Sequence, residues 1–178
     1  MKTAADKLVR PSPSTFLNYA RPVLAAHRLV FSQLMNFSWI TLRPQWIKGQ
    51  SPLEEVTLIE QLTMRPPQQA AATCAFSFSW EIFTYLTQNL WGEAVAYDVA
   101  VVEAFAKELG QMALATAFPA ALPPVLSAWG KLGMPQEYAF PQGAIVVPCL
   151  SAQGPLKIIW SYQEVKTSTA HKAALAFN

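Results

Sequence analysis

Cys74-Ala75-Phe76-Ser77-Phe78-Ser79-Trp80-Glu81-Ile82 carries the clearest two-residue period in the chain. Cys74, Phe76, Phe78, Trp80 and Ile82 point one way, and Ala75, Ser77, Ser79 and Glu81 point the other. Alternation of this kind describes a strand with one face on a core and one face turned away from it, the pattern of an antiparallel sheet. The break Arg65-Pro66-Pro67-Gln68-Gln69 precedes it.

Two more strands are expected downstream. Ala144-Ile145-Val146-Val147 and Leu156 to Tyr162 flank Ser151-Ala152-Gln153-Gly154-Pro155, a hairpin signal. Upstream, Phe37 to Ile47 is rich in β-formers and reads as a strand interrupted near Pro44.

The helical signals are of period 3.6. From Ser14 or Pro22 to about Asn36, Val23, His27, Val30 and Leu34 form one stripe, with Leu24, Phe31 and Met35 beside it. Between Glu93 and Thr116, Val95, Val99, Val102, Phe105, Ala106, Leu109 and Met112 share a broad face. Ser51-Pro52-Leu53-Glu54 resembles a capping box and favours a helix from Pro52 to about Thr63, although Val56, Leu58, Leu62 and Met64 also alternate as a strand would. A short helix is expected through Val125, Leu126 and Trp129, and a frayed one from Thr167. The expected architecture is therefore α+β: residues 14–178 form a single domain, a small antiparallel sheet packed by two longer helices, and residues 1–13 form a flexible basic arm.

The chain has 178 residues, enough to bury a core without staples. At 52% hydrophobic it is not disordered throughout. Only 13% of residues are charged, against roughly 25% in an ordinary soluble domain. The charge is uneven. Lys2, Lys7, Arg10, Arg21, Arg28, Arg43 and Lys48 face Asp6 alone, so residues 1–50 carry +6 of a chain total of +2, leaving −4 for the rest. Phe16, Tyr19, Phe31, Phe37, Trp39 and Trp46 interleave with these cations. Cations on an arm suit phosphate neutralisation, and interleaved aromatics suit stacking on single-stranded nucleic acid.

The catalytic inventory is thin: two cysteines, two histidines and two aspartates. There is no Cys-x-x-Cys and no His-x-x-x-His, and the seven glycines are scattered, so neither a metal, a cofactor nor a phosphate loop is expected. Two polar residues stand on apolar stripes. His27 lies among Val23, Val30 and Leu34. Asp98 lies with Val102, Phe105 and Leu109, and also near the expected helix start, where negative charge is favoured. Cys74 and Cys149 lie in apolar strand surroundings and read as inert buried thiols. Leu109 to Gly130 is free of charge, but Gly110, Pro119, Pro123 and Pro124 make it a poor membrane span.

These features favour a non-enzymatic assembly subunit, coat-like or nucleoprotein-like. It would self-associate through apolar surface, as a homo-oligomer or in a larger complex, and bind nucleic acid through the seven cations of its first third. The alternatives are a small apolar-ligand-binding protein or enzyme with a pocket at His27 and Asp98, with Glu81 or Tyr85 nearby, and a peripheral membrane protein using residues 109–130. Without a signal peptide or disulfide framework, an intracellular (cytoplasmic) location, or one within an assembled particle, is expected.

Overall fold

In the computed structural model, residues 13–50, 53–64, 70–96, 98–119, 125–129 and 139–164 are described. Thus Lys2, Lys7, Arg10 and the tail from Thr167 lie outside the described residues. The chain runs through α1 (Pro13–Leu34), β1 (Trp39–Thr41), β2 (Gln45–Gln50), β3 (Val56–Met64), β4 (Ala70–Phe78), α2 (Trp80–Trp91), α3 (Val99–Ala117), β5 (Val125–Trp129), β6 (Ala139–Ser151) and β7 (Gly154–Glu164). It is an α+β domain with one antiparallel sheet in the order β1-β6-β7-β4-β3-β5, and β2 also pairs with β6.

The two-residue period of β4 sets the core. Phe78, Phe76 and Cys74 sit opposite Val56, Leu58 and Glu60 of β3 on one side, and opposite Leu156, Ile158 and Trp160 of β7 on the other. Opposed residues share a face, so these rows make one apolar surface. Val30 and Phe31 of α1, Ile82, Phe83 and Leu86 of α2 and Val102, Phe105 and Leu109 of α3 pack on it. Each such aliphatic or aromatic side chain contributes roughly 1.5–3 kcal/mol on burial. The reverse face carries the smaller cluster Ile59, Ala75, Ala144, Val146 and Ile159. Residues 53–54 are tied to that face: Leu53 packs against the cluster, Glu54 N donates to Ser77 Oγ at 2.7 Å, and Lys157 Nζ reaches Glu54 Oε1 at 2.6 Å.

Four expectations need correcting. The strand period does not continue through Ile82. Ser79 is the N-cap of α2, its hydroxyl accepting from Ile82 N, and Gly92 at φ 79° closes that helix. Trp80 and Ile82 continue an alternation by residue type, but the cap turns the chain before them. Residues 52–63 do not form a helix. Val56–Met64 is a strand between β4 and β5, because two sheet neighbours outweigh a local capping signal. Val125–Trp129 is likewise a strand, paired with β3. The long helix starts at Val99 rather than Glu93, since Asp98 caps it. Of the two starts expected for α1, the one near Ser14 is found, and Pro22 lies inside the helix.

Gly143 in β6 has φ 91° and faces the indole of Trp46, which lies where a Cβ would project. Gly49 has a similar φ of 95° at the β2 bulge but open space around it. Gly143→Ala is therefore expected to lose about 2 kcal/mol of stability, more than Gly49→Ala, because it adds a collision to the shared backbone strain. Urea titration of both variants checks this, and equal losses would contradict the packing argument.

Candidate functional site

His27 and Glu60 meet in the core, each with no exposed surface, with Nε2 3.2 Å from Oε2. The α1 stripe carries His27 inward, and the alternation of β3 carries Glu60 to the same face as Val56 and Leu58. His27 Nδ1 is 2.8 Å from the carbonyl oxygen of Val23. A carbonyl only accepts, so Nδ1 carries a proton. Nε2 then faces the Glu60 carboxyl, so each of these two buried polar groups has the other beside it. That matters because an isolated buried charge costs several kcal/mol. The imidazole also packs on Phe76 with ring centres 5.0 Å apart, and Cys74 is the β4 neighbour of Glu60.

The pair joins a helix to the sheet inside a packed core. Sequence reasoning picked out His27 and missed Glu60. The signal was present: Glu60 is the one charged residue in the alternating series Val56, Leu58, Glu60, Leu62, Met64, and the helix reading of this segment concealed it.

Asp98 is exposed, and its Oδ1 accepts from Ala100 N at 2.8 Å as the cap of α3. It therefore sits at the helix end favoured by the dipole, while His27 is paired with Glu60. Glu81 is exposed in the first turn of α2, where its own backbone N–H and then Ser79 hold its carboxyl below the ordinary range. Tyr85 Oη donates to Asn36 O at 3.1 Å. Among the described residues no three His, Cys, Asp or Glu side chains gather as metal ligands would.

The described cations have separate surroundings. Arg21, Arg43 and Lys48 are exposed. Arg28 Nη2 donates to Trp39 O at 3.0 Å, and its guanidinium lies over the Trp39 ring, 5.7 Å from its centre. Phe31, Phe37 and Trp39 are buried together rather than offered as stacking platforms. Trp46, by contrast, is 67% exposed.

Burial raises the Cys74 thiol well above its ordinary range, with the charge of Glu60 adding to the effect. Burial also pushes Cys149 up to about 11, against a smaller opposing effect of Arg28.

No family model matches the chain, and no curated protein matches it. Solved structures do. The CheX chemotaxis protein of Desulfovibrio desulfuricans is 13% identical with a TM-score of 0.58, over 82% of this chain and 99% of that one. CheX of Borrelia burgdorferi, solved as a CheX–CheY–BeF3–Mg complex, is 15% identical with a TM-score of 0.52, over 82% and 98%. The FliM middle domain of a Vibrio species (given as "Vibro alginolyticus") is 12% identical with a TM-score of 0.51, over 84% and 92%. At these identities the likeness establishes the fold.

This overturns the expected coat-like, nucleic-acid-binding subunit, since the fold is that of CheX and of the FliM middle domain. The interleaved aromatics misled because Phe31, Phe37 and Trp39 are core. The two residues of the expected pocket are not brought together, since His27 is buried against Glu60 and Asp98 is exposed at the start of α3. Residues 109–117 finish α3, and among the described residues no helix is long and apolar enough to cross a membrane.

Replacing one member of the buried pair removes the contact the two share. Glu60→Met and His27→Leu are each expected to cost about 3 kcal/mol. The double variant should cost less than the sum by more than about 1 kcal/mol, measured by urea unfolding in a double-mutant cycle; additive losses would exclude the coupling. The cysteines give a second expectation. Both should resist a disulfide thiol reagent at pH 8 in native protein and react in denaturant. With a raised folded pKa the native state holds its protons longer than the unfolded chain. The contribution of Cys149 is therefore present below the ordinary thiol value of 9.0 and declines as pH rises towards about 11, and that of Cys74 declines in the same direction.

Proposed function

We propose that this chain is a partner-binding domain of the CheX and FliM-middle-domain fold, and that its partner is a receiver protein of the CheY kind. The observation that carries this reading is the extent of the likeness to the CheX solved with CheY: 98% of that chain is matched, so the resemblance spans a whole domain rather than a shared motif. Fold alone does not assign function, and the surface supplies independent support. In a chain with only 13% charged residues, Ile40, Leu42, Trp46, Ile145 and Leu150 remain exposed. Exposed aromatic and aliphatic side chains are typical of protein interfaces. The core supports the same reading, since the His27–Glu60 pair is committed to holding α1 on the sheet and is closed to solvent.

The test is calorimetric titration with CheY, with and without beryllofluoride and Mg²⁺. Saturable binding tighter than about 1 mM, or about −4 kcal/mol, is expected in at least the beryllofluoride state. No binding in either state overturns the reading.

A further inference from the structure

The edge formed by β1 and β2 is the least protected part of the sheet. Both strands pair with the same side of β6, at Trp39↔Ser151, Ile40↔Leu150 and Thr41↔Cys149 for β1, and at Gln45↔Val146, Trp46↔Ile145 and Ile47↔Ala144 for β2. The other side of β6 is taken by β7. Among the described residues no strand pairs with the outer side of β1 or β2. Large apolar side chains flank this edge on both faces. Trp46 and Ile145 form one cross-strand pair and Ile40 and Leu150 another, and neighbouring pairs in the ladder alternate between faces. Ile40 is 63% and Trp46 67% exposed. The Trp46 ring rests over Gly143, which fixes its orientation and leaves its outer side open.

The charge at this edge has one sign. Residues 37–50 contain Arg43 and Lys48, both exposed, and no acidic residue. Arg28, held on Trp39 O, adds a third cation at the start of β1. Edge cations, Pro44 and the bulge between Ile47 and Gly49 are devices that deter pairing with a second copy. In such a pairing Arg43 and Lys48 would meet their own kind, and like charges opposed across a ladder are destabilising. The same cations attract a strand of opposite sign, so repulsion of one partner and attraction of another arise from the same residues.

We infer that the β1–β2 edge takes an acidic, extended segment of a partner protein as an added strand. The segment's backbone would use the free ladder groups, and its alternate apolar side chains, which share one face, would cover Trp46 and Ile145. This inference rests on the partner-binding reading above and names its surface and the chemistry recognised there.

The probe is a fluorescein-labelled ten-residue peptide of alternating Glu and Val, read by fluorescence anisotropy on the full chain. Two controls accompany it: alternating Lys and Val, and alternating Glu and Pro, which keeps the charge but cannot donate to a ladder. The Glu-Val peptide is expected to bind at least tenfold more tightly than either control. It should weaken at least tenfold with Arg43→Glu/Lys48→Glu and, separately, with Trp46→Ala. The charge variants alter exposed side chains, and thermal melts of each variant confirm folding. Equal binding of the Glu-Pro peptide would reduce the effect to general charge attraction and overturn the inference. Unchanged affinity in the variants, or no binding, would do the same. So would a concentration-dependent dimer in sedimentation that Trp46→Asp abolishes, which would assign the edge to a second copy. If the peptide fails while CheY still binds the Arg43→Glu/Lys48→Glu protein, the inference falls and the partner-binding reading stands. If CheY fails with the unaltered chain as well, the partner-binding reading falls with it.

Discussion

The contact between His27 and Glu60 constrains much of the domain. Two polar groups with no exposed surface are costly to bury apart, and they meet only when α1 and β3 are correctly placed. A slip of one residue in β3 would carry Glu60 to the reverse face together with Val56 and Leu58. A rotation of α1 would withdraw His27 from Phe76 and remove Phe31 from the cluster formed by Phe37, Trp39 and Phe76. The pair therefore specifies register and helix orientation, while the surrounding aromatic and aliphatic rows provide the bulk of the stabilisation. Its closure to solvent separates this chemistry from any external ligand.

Function is left to the periphery. The three helices pack on one face of the sheet around a shared core, and residues 53–54 tie to the other. The edge at β1 and β2 contributes Trp39 and Ile47 to these clusters and leaves Ile40 and Trp46 exposed. Its exposed apolar side chains would be a hazard in a sheet with no charge there. Arg43 and Lys48 reduce that hazard, because like charges deter pairing with a second copy. This gives Arg43 and Lys48 a structural reason distinct from phosphate binding. Arg28 serves the Trp39 carbonyl and ring together.

Legibility varied with how local each cause was. The β4 alternation, the α1 stripe, the hairpin between β6 and β7 and the interruption at Pro44 follow from neighbours along the chain, and all could be read directly. The helix α2 was hidden because Trp80 and Ile82 extend the β4 alternation, although Ser79 was there to cap it. The strand β3 was hidden behind Ser51-Pro52-Leu53-Glu54, a local helix-start signal that tertiary pairing overrode. Once β3 was misread, Glu60 could not be recognised as the residue opposite His27. Asp98 combined two signals, an apolar stripe and a helix start, and only the second describes its surroundings.

The sequence by itself determined the class of the domain, the face of each periodic segment and the chemical restraint of its two cysteines. Those properties depend on spacing and residue type, which act over a few residues. Tertiary structure alone decided that Glu60 meets His27, that Phe31, Phe37 and Trp39 are core, and that Trp46 is not. Each of these depends on which strand lies beside which. Strand pairing is settled by the combined burial of distant rows of side chains, a quantity that no local stretch of the chain contains.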